Sequence, residues 1–530
     1  MKKKYIIIPL FLGLSLALFL PSVNHLNIIN EGDALAYTSR LEKYRAKAIE
    51  NLAEVDLTLY RENEVQEINT LRTETIAKIN QSEDYAEIDS IVSSYNRYIL
   101  TIKTDEELTK EEAEQDPEKD YLTISSLDEL LDFRDDVNSG YTYWNNTVVL
   151  TNDIIIPENT SFGDPIGISD AKPFSGTFDG KGHKISGLKM SGDNAIGLFS
   201  RVSYGTVKNL VIEDVTITSD TQRSAGLVAR AFAAKIENVE IKSGTITSAK
   251  QSAGIASVTI NNVTIKNCIN RASVSSTGTS TAGIVGLVYS GTATITNCVN
   301  YGTISGKGLG TGGIVGNSNN AAISKTLPNE VQPSITIAHC TNEGVVTSTG
   351  EATGGIMGQP ANAQNGTATI RIEDCTNNNT VTGASNGTGG IVGSTTEKST
   401  TFTVTITNCL NNADISGVQY VGGIIGLFRL QTNSEMSDCV NKGNISATKQ
   451  VGVGGVAGFA RDNVTDCSCL YSVLIKGAYA YTYPDIGCTV DGGGGSASGK
   501  YGYISGGMGN GAIQSGGKLI DENGDEYIPS

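Results

Sequence analysis

A dipeptide recurs through most of this chain: Asn267-Cys268, Asn297-Cys298, His339-Cys340, Asp374-Cys375, Asn408-Cys409, Asp438-Cys439 and Asp466-Cys467. Extended backwards, the register meets Asn209-Leu210 and Asn238-Val239, so one column reads Leu, Val and seven Cys at steps of 29, 29, 30, 42, 35, 34, 30 and 28 residues. A fixed period of this size is the mark of a solenoid, in which each repeat is one coil that buries its apolar face only against its neighbours. A slot that accepts Leu, Val or Cys is a buried apolar position.

A second column runs out of phase with the first. It includes Ile196-Gly-Leu-Phe, Ala225-Gly-Leu-Val, Ala282-Gly-Ile-Val-Gly, Gly312-Gly-Ile-Val-Gly, Gly389-Gly-Ile-Val-Gly and Gly454-Gly-Val-Ala-Gly. From Cys to the Gly before the aliphatic residue the chain takes 14 or 15 residues in five turns of six. Variable length therefore sits in the other half of each turn, where loops are inserted. Between the columns lie short Val, Ile and Thr runs with alternating faces, such as Thr403-Val-Thr-Ile-Thr, which read as strands of about five residues. The expected fold is mainly β, a right-handed parallel β-helix over 196–471, preceded by a small all-α bundle. Nine coils ~4.8 Å apart would make a rod on the order of 43 Å long. Asn270, Asn300, Asn342, Asn377, Asn411 and Asn441 form a further column two residues past each Cys. We expect an asparagine ladder at a coil corner, because Asn tolerates the left-handed conformation and stacked amides hydrogen-bond to one another.

Met1-Lys-Lys-Lys, the apolar run Tyr5 to Leu20 and Ala34-Leu-Ala36 have the order of an export signal over 1–36, which predicts an extracellular, secreted or surface-associated protein with no membrane insertion after cleavage. Removing that segment takes away three lysines and two acids, which shifts the formal net charge from −17 to about −18. So acidic a chain argues against nucleic acid as a partner. Nine cysteines in an exported protein would ordinarily suggest disulfides, but seven share one core slot, so reduced packing is expected. Rung-to-rung disulfides are the alternative that the spacing permits. Cys469 falls at the ladder position and Cys488 lies beyond the repeats.

Residues 37–118 differ in character. Leu41, Tyr44, Ala48, Leu52 and Val55 repeat at helical spacing, and further helices are expected over 60–80 and 87–102. The stretch from Leu57 to Glu112 resembles helical spacer modules of exported surface proteins from Gram-positive bacteria. A cap for the first coil is expected over 119–195, with a helix over 124–137 and Ser126 as its N-cap, because an open solenoid end would expose core and backbone groups. Residues 472–530 read as a C-terminal cap and Gly-rich tail, with a hairpin around Asn523-Gly524.

The phrase Phe174-Ser-Gly-Thr-Phe-Asp-Gly-Lys-Gly-His-Lys-Ile-Ser-Gly-Leu188, followed by Ile196-Gly-Leu-Phe199, Gly205-Thr-Val-Lys-Asn-Leu210 and the repeated Gly-Gly-Ile-Val-Gly, resembles the GLUG-motif β-helix family. That resemblance covers about 350 residues. It implies a bacterial surface protein of adhesin type, or a module beside the protease domain of immunoglobulin-A-cleaving metallopeptidases. The heavy use of Cys at the core slot departs from the family's pattern.

Catalytic material is scarce. No His-Glu-x-x-His is present, and beyond residue 36 only His183 and His339 remain, both expected to be structural. Gly383-Ala-Ser385-Asn-Gly387 matches a nucleophile elbow in letters but lies between solenoid strands. The one sharper arrangement is Asp438 and Asp466, successive members of one column and so ~5 Å apart if they point alike, with Arg461 near in sequence. In a polysaccharide lyase or hydrolase such a pair would be catalytic or would hold calcium; otherwise it is a solvated edge. The expected function is a non-enzymatic binding protein for a host extracellular or glycan ligand, with no cofactor apart from that calcium option. Nothing in the repeats specifies an oligomeric state.

Overall fold

The computed structural model describes most of residues 41–102, then 122–318 apart from 194, 334–360, 368–395, 402–428, 434–449 and 452–460, with short strands as far as 504. The chain divides into two compact units at Asn96 and Arg97.

The first unit is helical. Residues 44–50 carry buried Ala48, with buried Leu52 one helical turn on, and the helices Glu62–Gln81 and Tyr85–Ile99 bury Ile68 and Ile79, and Ile88 and Tyr95, at whole-turn spacings of eleven and seven residues. Arg45 donates to the Ser82 carbonyl at 3.0 Å, tying the first helical segment to the end of Glu62–Gln81.

The second unit is a parallel β-solenoid. One turn shows the plan: Val263–Lys266, a corner at Asn267, then Ile269–Asn270 make the first sheet; Ser273–Ser276 the second; Thr281–Ala282 the third; and Val285–Ser290 the fourth. The fourth sheet stacks nine strands, from Phe199–Ser203 to Ala457–Ala460, all in parallel register. Inserted length falls between a fourth-sheet strand and the next first-sheet strand, as between Ser318 and Ser334, which accounts for the 42-residue step.

Alternation drives the coil. In the second sheet Ile217, Ile246, Val274, Ile304, Val346, Val381, Ile415 and Ile445 stack inward in register and are buried, while their neighbours Thr218, Thr247, Ser275, Ser305, Thr347, Thr382, Ser416 and Ser446 face out. Branched residues at the inward sites pack well on a pleated surface buried on one side.

The Asn ladder exists, and it is internal. Asn270, Asn300, Asn342, Asn377, Asn411 and Asn441 are fully buried, and the Nδ2 of each of the first five donates to the Oδ1 of the next turn at 2.6 to 2.8 Å. A second bond from the same amide reaches the carbonyl two residues on, as from Asn342 to Gly344 at 2.8 Å. The left-handed corner lies elsewhere, at the residue before each Cys: Asn209, Asn238, Asn267, Asn297, His339, Asp374, Asn408 and Asp438 all have φ between 52° and 56°. The expectation thus joined two columns that the fold keeps apart. One Asn column is selected by hydrogen bonding and the other by backbone conformation.

The six described column cysteines are buried and form no disulfide with one another. Each Sγ lies 3.2 to 3.3 Å from the carbonyl two residues back and 3.5 to 3.8 Å from an Ile carbonyl one turn earlier. Burial pushes the thiols of Cys298, Cys375 and Cys409 well up, which leaves them protonated and inert. Cys467 and Cys488 lie outside the described residues.

Both ends depart from the coil. At the start, Leu122–Ile124 is a strand paired with Val148–Leu150, so the capping helix runs Leu127–Ser139 rather than from residue 124. Ser126 caps it, accepting from the Glu129 amide at 3.3 Å, while Ile124 is committed to the core. Phe133 on this helix meets Tyr143, Phe174 and Phe178 at ring distances of 5.0, 5.6 and 5.8 Å and closes the first turn. At the far end, parallel pairing continues past 471 to Val473–Ile475, and Ala478–Tyr481 then runs antiparallel against it. The Asn523-Gly524 hairpin lies outside the described residues.

Candidate functional site

The acidic pair was the sharpest chemical candidate from sequence. Asp438 is exposed, on the outside of the solenoid, with φ 54°. Asp466 and Arg461 lie outside the described residues. Asn, Asp and His are the side chains most often found in left-handed backbone, and the Asp438 column contains only those three. Backbone geometry therefore explains the carboxylate without a reaction. His339 belongs to the same column, with Nδ1 3.7 Å from Asp374. Among the described residues, no group of three or more His, Cys, Asp or Glu is placed to hold a metal ion.

The Phe-Asp-Gly-Lys-Gly-His motif turns out to be a structural junction. Asp179 is buried, and its Oδ1 accepts from the Lys181 amide at 2.9 Å and from Asn209 Nδ2 at 3.1 Å. Lys181 and Lys208 lie 3.4 and 3.5 Å from its other oxygen. From there an outer amide chain runs along the corner column: Asn238 donates to Asn209 and Asn267 to Asn238, each at 3.0 Å. His183 pairs with Asp153 at 3.2 Å, and the Lys184 amide, ahead of His183, holds the Asp153 carboxyl below its ordinary range. Ser385 sits just past the second-sheet strand Val381–Gly383, in solenoid backbone with no strand-to-helix turn for a nucleophile elbow.

The feature that repetition builds is the outward column of the second sheet. Thr218, Thr247, Ser275, Ser305, Thr347, Thr382, Ser416 and Ser446 put one hydroxyl on each of eight successive turns, partly or fully exposed, with no charge among them. Thr247 and Ser275 lie in hydrogen-bond contact at 3.1 Å. At ~4.8 Å per turn this lane is roughly 34 Å from end to end. The neighbouring outward column adds Thr216, Thr245, Ser273 and Thr303 on the first four of those turns. Hydroxyls both donate and accept, so such a lane can follow a long polar ligand without demanding one charge pattern. Sequence reading saw the Thr and Ser content but not the lane, whose signal is an Ile or Val followed by Thr or Ser at the coil period, from Ile217-Thr218 to Ile445-Ser446.

No protein family's profile matches this chain. No curated protein matches it either. Among solved structures it is similar to a "putative immunoglobulin A1 protease" from Bacteroides ovatus, at 21% identity and a TM-score of 0.38, over 48% of this chain and 74% of that one. That likeness is too slight to bear on function.

Proposed function

We propose that the protein is an exported, non-enzymatic binding protein of a bacterial surface, with the solenoid flank as the surface that meets a host or environmental glycan. The observation behind this reading is the uncharged hydroxyl lane on eight consecutive turns. A saccharide chain is itself a row of hydroxyls, and many weak, evenly spaced contacts gain affinity by acting together along its length. The Lys-rich apolar start supports export, the helical unit's resemblance to Gram-positive spacer modules supports a spacer role, and the Phe174 to Leu188 phrase supports kinship with GLUG-motif β-helices of bacterial surfaces.

A glycan and extracellular-matrix array, read with calcium and with chelator while the same wells are assayed for new reducing or unsaturated ends, tests the reading. Saturable binding without product is expected, and Thr347→Val with Thr382→Val should weaken it. Calcium-dependent product lost in Asp438→Asn would replace it with a polysaccharide lyase or hydrolase.

A further inference from the structure

On the outward side of the fourth sheet, Arg201 and Arg230 stand in register on adjacent turns. Two guanidiniums stacked ~4.8 Å apart repel each other unless something bridges them. Asp170 does so: Arg201 Nε donates to its Oδ1 at 2.8 Å, and Arg230 reaches Oδ1 and Oδ2 at 2.8 and 2.7 Å. Burial opposes ionisation of Asp170, and the two arginines outweigh it, holding the carboxyl below its usual range. A third guanidinium joins them. Burial, then Arg230 and Arg201, press on the charge of Arg223, whose Nε is buried and has no hydrogen-bond partner. Arg201 and Arg230 thus share one carboxylate, with Arg223 close enough to feel all three charges, on a chain whose net charge is −17. A buried, unpaired guanidinium N–H is costly in a finished structure.

The geometry points to a carboxylate-binding site formed by Arg201, Arg223 and Arg230, made for the acidic sugar at the end of a glycan. Asp170 shows the chemistry the site takes, a planar carboxylate across two forks. The acidic body of the protein repels a long polyanion, so a ligand with one charge suits it better than one with many. Tyr289, partly exposed, adds an aromatic surface near Arg223, and Val258, Ile260 and Leu287 make a small apolar cluster with Phe232 beside the arginine column. At the arginines the strand Phe199–Ser203 is bonded on both sides, by Val228–Phe232 and by Ile166 and Phe174, so it offers no free edge to a peptide by strand addition. The inference rests on the glycan-binding reading and adds the ligand's end group.

Calorimetric titration of the full chain with a trisaccharide ending in a carboxylated sugar, against the neutral disaccharide lacking it and an acidic peptide, tests the site. The carboxylated trisaccharide should bind at least about tenfold tighter than the neutral one. Arg223→Gln should abolish that difference without lowering the thermal midpoint, since it removes a buried Nε–H that has no partner. Asp170→Asn, which frees Arg201 and Arg230, should tighten binding several-fold. Equal binding of the carboxylated and neutral sugars, preference for the acidic peptide, or affinities unchanged in both variants would overturn the site. Neutral glycan bound alike by wild type and Arg223→Gln leaves the hydroxyl-lane reading standing while this one falls; no glycan bound at all sinks both.

Discussion

The turns up to Ile241 and the turns from Cys268 onward share one coil path and are filled by different physics. In the early turns the slot after the corner residue holds Leu210 and Val239, and the ladder slot holds Ile212 and Ile241. Phe133, Phe174, Phe178 and Phe199 fill the space beneath them. Later turns use Cys in the first slot and Asn in the second. Burial of Ile and Phe is strong but non-directional, whereas an amide that must meet its neighbour's oxygen admits a single register. The end of the rod, where a helix must be sealed on, is built by bulk; the long middle, where slippage is the danger, is built by hydrogen bonds.

Removing bulk from the seal should have the largest effect. Phe133→Ala is expected to cost about 3 to 5 kcal/mol, read as a lower midpoint in chemical denaturation. The second test concerns the glycine that faces each ladder slot. A Cβ on Gly355 would lie 2.1 Å from the Gly390 carbonyl oxygen and 2.5 Å from Asn377 Cγ, whereas on Gly226 it would meet Gly254 O at 2.6 Å and the flexible tip of Ile241 at 2.9 Å. Gly355→Ala should therefore destabilise more than Gly226→Ala, by a few kcal/mol against about 1. If the two cost the same, the distinction between the regions fails. Asn342→Ala, which strands the amide of Asn300 and the oxygen of Asn377, should cost about 1 to 3 kcal/mol.

Cys340→Val should cost less, below about 1.5 kcal/mol, because Val239 already occupies the same slot. In the native protein the described column thiols should label with a thiol reagent only at the rate of unfolding. The smallest effect is expected at the surface. Glu213, hydrogen-bonded to Lys242 and Lys184, titrates at about 2, below its ordinary 4.5. Its folded-state pKa is depressed, so its contribution is present above about pH 4.5 and lost as pH falls towards 2. Glu213→Gln should flatten acid unfolding across that window only slightly, and less still in high salt.

The columns were legible because a solenoid writes its contacts into the chain at a nearly constant interval. Cys340 and Asn342 could be placed from letters alone. The identity of the corner residue could have been read as well, since Asn, His and Asp before each Cys are the side chains that left-handed backbone prefers. Leu122–Ile124 was too short a strand to stand out from the helix it precedes. The arginine cluster was half legible: Arg201 and Arg230 lie 29 residues apart, the period of the early turns, but Asp170 and Arg223 reach them from other parts of the fold.

The inner ladder also has a direction. The amides from Asn270 to Asn411 each give to the turn ahead and the oxygens from Asn300 to Asn441 each take from the turn behind, while Asn270 Oδ1, facing the Ile241 turn, takes from nothing. A whole turn duplicated or deleted within the stack leaves every donor with an acceptor, so such length changes pass at little cost to the interior. At the Ile241 boundary the same event would have to reckon with an unmatched oxygen. Gene-level lengthening of this rod is therefore expected to occur downstream of Asn270, with the aromatic end kept at constant size, and the graded series of shorter and longer relatives that results would differ in reach while sharing one foot.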